Sequence, residues 1–168
     1  MERPAILITH MEGLRPFDDA TLDRLDGIGR LLDRKPLGSW DDPRAAALLA
    51  EAEIVVGHWG TPTITADVLT RAPKLRMFAY AAGTIKWSLS DDAWEHRDIV
   101  VTSGASANAE PVVEYTLAMI LLANKRVFPS IDLMRGRPAW EAPPTASPHG
   151  NWDKTIGLVS ASLIGRRV

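Results

Sequence analysis

The chain has 168 residues, of which 46% are hydrophobic and 24% are charged, and its formal net charge is -2. These are globular proportions, and they exclude collagen-like, disordered and coiled-coil chains. The absence of a basic excess argues against nucleic-acid binding, and the absence of cysteine excludes disulfides, thiol nucleophiles and cysteine-ligated zinc.

No segment approaches the ~20 consecutive apolar residues of a membrane span. The N-terminus, MERPAILITH, lacks the apolar core and cleavage site of a signal peptide. We therefore expect a cytoplasmic protein without a membrane segment. The four histidines are scattered and no two lie four residues apart, so no metal site is predicted.

Strands alternate with helices through the first part of the chain. Short apolar runs predict strands at residues 5–9, 53–56, 75–80 and 99–102. Helical spacing predicts helices at 18–32, 43–50, 65–71 and 90–96, with Asp18 or Asp19 and then Thr65 as N-caps. This alternation favours a parallel sheet covered on both faces.

The composition changes after residue 102. The small residues of 103–109 predict a hinge, and 110–127 predicts a long helix with Pro111 in its first turn. That helix is so apolar that its own lobe or a partner subunit must bury it. A proline-rich arm follows at 138–149, then a strand at 155–161 and the opening of a helix. These last elements cannot bury themselves, so we expect a truncated second lobe.

Several segments, in this order and spacing, resemble the first half of the D-isomer-specific 2-hydroxyacid dehydrogenases, the group that contains phosphoglycerate and formate dehydrogenases. The segments are APKLR at 72–76, AAGT at 81–84, IVVT at 99–102, NAEPVVE at 108–114, RGRPAW at 135–140, TIGLV at 155–159 and IGRRV at 164–168. The resemblance implies a two-lobed enzyme that binds NAD or NADP between a substrate lobe and a dinucleotide lobe. It also implies that the catalytic Arg, Glu and His come from further along the chain, so no residue here is assigned a catalytic role.

The resemblance implies that the loop after the strand at 75–80 binds the substrate carboxylate through Ala82, Gly83 and Thr84. Ligands of open α/β sheets bind beyond the carboxyl ends of strands, which supports this position. The alternative is a plain glycine turn. Lys86 stands where the family often has acidic and Asn residues, and it adds positive charge or is simply solvated.

Three further residues are candidates for the substrate side. Asn108 matches a family Asn that faces substrate and nicotinamide, with a helix N-cap as the alternative role. His58 and Trp59 follow the strand at 53–56, where a cleft can open. A structural role is the alternative for this histidine.

The strand-to-helix turn near the end of the sequence stands where the family has the dinucleotide-binding fingerprint G-x-G-x-x-G. The candidate cofactor-binding residues are Ser160, Ala161, Ser162, Leu163, Ile164 and Gly165. Ser160 and Ser162 replace the first two glycines, and a positive φ at either would cost on the order of 1 kcal/mol. The alternative is a turn that no longer binds a ligand.

Together these observations predict a flavodoxin-like parallel-sheet substrate domain at 1–102 and the first elements of a truncated Rossmann domain at 103–168. The predicted function is that of a dehydrogenase fragment that is inactive alone and binds no cofactor by itself. The parent enzyme would transfer a hydride between NAD or NADP and a D-2-hydroxyacid or 2-oxoacid.

A homodimer through the long helix and arm is expected. The alternative is a non-catalytic remnant that only dimerises or binds partners. A receiver-like signalling domain ranks last, because AILITH supplies no acidic pocket.

Overall fold

The computed structural model describes residues 3–135 and 150–168. The chain divides into two compact units, residues 1–106 and 107–168. The first unit holds every strand of the described chain, and the second is helical and irregular.

The first unit is a five-stranded parallel sheet with helices between the strands. Its elements in chain order are β1 (Ala5–Thr9), α1 (Asp19–Ile28), β2 (Arg30–Leu31), α2 (Ala45–Glu51), β3 (Ile54–Gly57), α3 (Ala66–Arg71), β4 (Met77–Tyr80), α4 (Asp91–His96) and β5 (Val100–Ser103). The strand order is β2-β1-β3-β4-β5, and every neighbouring pair is parallel. This is the flavodoxin-like order, so the predicted fold class is confirmed.

The sequence explains why β1 lies in the interior of this sheet, between β2 and β3. All five residues of AILIT are buried, as a strand covered by helices on both faces requires. Two N-caps were also predicted correctly. The carboxylate of Asp18 accepts from Thr21 N–H at 2.8 Å, and the Thr65 hydroxyl accepts from Val68 N–H at 3.4 Å.

The helix predicted at 18–32 is too long, because α1 ends at Ile28 and β2 follows. Gly29 is buried, and a Cβ there would lie 2.4 Å from Ile6 Cδ1, so the chain passes close to β1 at this point. Arg30 N–H then donates to the Pro4 carbonyl at 2.8 Å. Apolar spacing alone did not reveal this two-residue strand, because Leu31 fits the helical period as well.

The second unit contains most of α5 (Ala105–Asn124), which begins in the first unit, and all of α6 (Val127–Met134). The boundary between the two units falls inside the segment predicted as a hinge, residues 103–109. This segment is not irregular, because Ser103 ends β5 and residues 105–109 are helical. Alanines at 105, 107 and 109 are strong helix formers, which explains the earlier start. Arg126, with φ 54°, separates α5 from α6, which the sequence analysis did not predict.

Two other expectations for the second unit also differ from the structure. Residues 155–161 form no strand. Within the described residues α5 buries only Ala109 and Val113, although its apolar composition predicted burial on most sides. The proline-rich arm predicted at 138–149 lies outside the described residues.

Within residues 3–135 and 150–168, no helix combines the length and the apolar character that crossing a bilayer requires. The same residues contain no cluster of three or more His, Asp or Glu side chains able to hold a metal ion.

Candidate functional site

The carboxyl ends of β1, β3 and β4 lie side by side. Thr9 is in register with Gly57, and Gly57 is in register with Tyr80, so the three following loops leave the same edge of the sheet. In a sheet of this order, ligands bind outside these ends, and the strand order reverses between β1 and β3. The first unit therefore presents its candidate site at this edge.

The loop after β3 is held close to β1 by a buried threonine pair. The Thr61 hydroxyl lies 3.1 Å from the Thr9 hydroxyl and 3.0 Å from the Thr9 carbonyl, and it accepts from His58 N–H at 3.0 Å. Gly60 has φ +77°, and a Cβ there would lie 2.4 Å from Met11 Cβ. These contacts fix the backbone that carries His58 and Trp59. Thr61 was not predicted as a site residue, because its only signal in the sequence is its position three residues after His58.

Four aromatic rings, those of His10, Phe17, His58 and Trp59, form what we call the aromatic cluster. The Phe17 ring centroid lies 6.1 Å from that of His10 and 5.9 Å from that of His58, and the His58 and Trp59 centroids are 5.2 Å apart. His10 is buried, whereas Trp59 is half exposed. Sequence analysis placed His58 and Trp59 together but did not predict Phe17 as their neighbour.

His58 is the electrostatically unusual member of the aromatic cluster. Its Nδ1 atom is buried and has no hydrogen-bond partner in the described part of the chain. Burial lowers the pKa of His58 below its ordinary value, and the neighbouring His10 lowers it further. A neutral imidazole is therefore favoured at this position.

The loop after β4 contains the residues predicted to bind a carboxylate. Ala82 is buried, Gly83 is partly buried and Thr84 is exposed. Ala81 N–H donates to the Gly57 carbonyl at 2.8 Å, so this loop starts directly beside the loop of His58. The Thr84 hydroxyl accepts from Lys86 N–H at 3.3 Å, which leaves its own proton free to donate.

Lys86 is the cation of this loop. Its Nζ lies 5.7 Å from the centroid of the exposed Trp87 ring, an arrangement typical of a cation–π contact. Among the described residues Lys86 forms no ion pair. Its positive charge is therefore available to an anion at the β4 loop.

Asn108 lies inside α5, at the fourth residue of that helix, and its side chain is exposed. The N-cap alternative for Asn108 is therefore wrong, because the helix begins three residues earlier. Its role toward a substrate stays a prediction.

The segment predicted to bind a cofactor forms a tight turn in the second unit. Ser160 has φ 80°, and a Cβ on Gly165 would lie 2.1 Å from the Ser160 carbonyl oxygen. One helical turn follows, in which Arg166 N–H donates to the Ser162 carbonyl at 3.1 Å. Ala161, Leu163 and Ile164 lie within this segment, and an open cleft of about 290 Å³ borders it, lined in part by Ser160, Ser162, Ile164 and Gly165.

This turn has two backbone properties of the glycine fingerprint. The first position, Ser160, has a positive φ. The last position, Gly165, tolerates no Cβ because the backbone of Ser160 lies too close to it. Serine at the first position adopts the required φ at a cost on the order of 1 kcal/mol. The turn therefore shares two backbone features with the fingerprint, while serine stands at the positions of its first two glycines.

Known structures share this fold. A phosphoglycerate oxidoreductase from Rhizobium etli aligns with 82% of this chain and 42% of its own, at 21% identity and a TM-score of 0.57. An acyclic imino acid reductase, solved with NADPH and D-Arg, aligns with 97% of this chain and 50% of its own, at 17% identity and a TM-score of 0.63. The D-mandelate dehydrogenase of Rhodotorula graminis aligns with 81% and 41%, at 22% identity and a TM-score of 0.53.

These similarities confirm the predicted resemblance to D-2-hydroxyacid dehydrogenases at the level of the fold. The chain spans half or less of the length of these structures. No protein-family model matches the sequence, and neither does any curated protein.

Proposed function

We propose that this chain supplies the substrate lobe and the start of the dinucleotide lobe of an NAD- or NADP-dependent D-2-hydroxyacid dehydrogenase. The observation that carries the proposal is the β4 loop at the carboxyl edge of a flavodoxin-like sheet. It contains the Thr84 hydroxyl and Lys86, which has no ion pair within the described part of the chain. The fold shared with the solved oxidoreductases supports it.

In this proposal the β4 loop holds the carboxylate of a 2-oxoacid. Backbone N–H groups of Ala82 and Gly83 and the hydroxyl of Thr84 donate to the carboxylate, and Lys86 adds attraction for the anion. His58, Trp59 and Asn108 are assigned to the substrate side. Because His58 is held neutral and fixed through Thr61, it serves to shape the site rather than to supply charge.

The residues Ser160 to Gly165 would hold the pyrophosphate of the dinucleotide through their backbone N–H groups. The nicotinamide, when bound, supplies the hydride that converts the 2-oxoacid to the hydroxyacid. We expect no turnover by residues 1–168 alone, because the resemblance implies that the catalytic Arg, Glu and His come from further along the chain. A location in the cytoplasm remains part of this proposal.

Binding of pyruvate to the purified chain tests the carboxylate loop. In ¹H–¹⁵N spectra, pyruvate should shift the amide signals of Ala82, Gly83 and Thr84. Thr84→Val should weaken binding about tenfold or more, because one charge-assisted hydrogen bond is lost. Thr70→Val, which removes a hydroxyl from the exposed face of α3, is the matched control and should bind pyruvate normally. Equal affinity of the Thr84 and Thr70 variants would contradict the assignment.

A second candidate function is a non-catalytic dimerisation module. The observation that favours it is the row of large apolar side chains on α5 and α6 that are more than 40% exposed: Val112, Leu117, Leu121, Phe128, Ile131 and Leu133. A homodimer would bury this surface. Sedimentation should show a dimer at tens of micromolar, and Leu121→Glu should convert it to monomer.

Calorimetry with NADH and NADPH separates the two functions, since a module that only dimerises would give no binding heat in any longer form of the protein.

A further inference from the structure

A second cavity opens on the other side of β1. It has a volume of about 1110 Å³ and lies between the segment that follows β1 and the segment that follows β2. Small-molecule sites in proteins have volumes of roughly 300–1,000 Å³, so the space is sufficient for one. We call this cavity the β1–β2 cleft. The β4 loop follows a strand two positions away from β1 in the opposite direction, about 10 Å across the sheet.

A buried histidine with one unused nitrogen lines the β1–β2 cleft. His10 is 6% exposed, and its Nδ1 lies 2.9 Å from the carbonyl oxygen of Met11. A carbonyl only accepts, so Nδ1 carries the proton and Nε2 is left as an acceptor. Within the described residues Nε2 has no hydrogen-bond partner. The His10 backbone is also fixed, since its N–H donates to the Leu37 carbonyl at 3.1 Å.

The charged side chains of the cleft divide into those already paired and those still available. Arg44 binds Asp33 at 2.6 Å and Asp42 at 2.8 Å, and Arg34 binds Asp23 at 2.7 Å. Six others line the cleft without an ion pair among the described residues: Glu12, Arg15, Asp18, Asp19, Lys35 and Asp41. The Asp18 carboxylate caps α1 by accepting from Thr21 N–H. Available charge of both signs therefore faces one cavity.

Apolar side chains complete the lining. Ile8, Phe17 and Leu22 contribute to the wall of the cleft, and the Phe17 ring lies beside that of His10 at a tilted angle. Such a wall suits the hydrocarbon or aromatic body of a ligand, while the charges and the imidazole suit its polar ends. Neither a purely anionic nor a purely cationic molecule would use both sets of charges.

We propose that the β1–β2 cleft is a binding site for a free amino acid with an apolar or aromatic side chain. The ammonium group donates to His10 Nε2 and faces Glu12, the carboxylate faces Arg15 and Lys35, and the side chain packs against Phe17. This site is separate from the β4 loop, although it shares His10 and Phe17 with the aromatic cluster. The ligands that test it differ from the 2-oxoacid that tests the dehydrogenase proposal.

Three small molecules of the same size test the charge requirement by calorimetry on the full chain: L-phenylalanine, 3-phenylpropanoate and 2-phenylethylamine. The proposal expects L-phenylalanine to bind at least about tenfold more tightly than either analogue, because each analogue lacks one charged group. Equal binding of the three, or no binding heat up to about 10 mM, would overturn it.

Variants then test the residues that the proposal assigns to the ammonium group and the carboxylate of the ligand. Arg15→Met and Glu12→Gln change exposed side chains, so both proteins should fold, and each should weaken L-phenylalanine about tenfold. Arg24→Met, an exposed arginine of α1 outside the cleft lining, is the control and should bind normally. The His10 Nε2 resonance should shift on addition of L-phenylalanine. An unchanged resonance, or wild-type affinity in the Arg15 variant, would contradict the proposed site.

Discussion

The two compact units of this chain use apolar residues in opposite ways. In the first unit the apolar residues of β1, β3 and β4 are mostly buried between helices, and Phe78 is fully buried. In the second unit the apolar helices α5 and α6 bury only Ala109 and Val113 among their described residues. The contrast shows that hydrophobic composition predicts which segments fold, whereas burial depends on what packs against them.

The largest expected effect comes from a matched pair of phenylalanines. Phe78→Ala should lower the free energy of unfolding by about 3–5 kcal/mol, because it leaves a cavity in the core. Phe128→Ala should cost less than about 1 kcal/mol, because Phe128 is 47% exposed on α6. Urea denaturation measures both. Similar costs for the two variants would show that the second unit buries Phe128 in solution.

Two glycine-to-alanine variants, one in each unit, compare how tightly the backbone of the two units is packed. Gly60→Ala should cost about 1–3 kcal/mol, because φ is +77° and the new Cβ would meet Met11. Gly157→Ala in the second unit should change stability by less than about 0.5 kcal/mol, because no atom lies within 4 Å of its Cβ position. Thermal denaturation compares the two variants with the wild type, and a harmless Gly60→Ala would show that the β3 loop is not tightly packed.

Replacing each of two serines in the turn at 160–165 by glycine should change the stability of the protein in opposite directions. Ser160→Gly should raise stability by up to about 1 kcal/mol, because glycine adopts the positive φ of this position without strain. Ser162 has no positive φ, so Ser162→Gly should lower stability slightly through the extra freedom of the unfolded chain. Equal effects in thermal unfolding would mean that Ser160 is not strained.

The smallest expected effect is a pH dependence caused by His58. Its pKa is lowered in the folded protein, so the unfolded chain binds the proton more strongly, and stability should fall as the pH drops below about 6.5. His58→Gln should remove part of this loss between pH 7 and pH 5. His96→Gln, on the exposed end of α4, should leave it unchanged. Melting temperatures across this pH range give the comparison.

The sheet could be predicted because its strands carry local signals. Branched apolar runs such as AILIT are typical of strands that are covered on both faces, and Thr65 and Asp18 mark helix starts by their side chains. β2 could not be predicted, because two residues have no period and Leu31 fits a helix equally well. The failed strand at 155–161 has the right residues, but strand formation also requires a neighbouring strand, which a sequence pattern does not reveal.

The candidate site could be predicted only in part. Strand-end positions located His58, Trp59 and the β4 loop, because loops at those ends follow directly from a parallel sheet. Thr61 and Phe17 could not be found, because their contacts join residues that are distant in sequence, and Thr61 meets Thr9 across 52 positions. The β1–β2 cleft depends in the same way on two loops that only the fold brings together.

The shortness of β2 has a consequence for self-association. It forms one border of the sheet and pairs with β1 through only Arg30 and Leu31. A long border strand with free backbone groups acts as a template on which strands of other molecules add, the first step toward sheet-mediated aggregates and fibres. Two residues offer too short a template for that addition. Beyond β2, Leu37 pairs with the end of β1, so this border leaves little free backbone for amyloid-like growth.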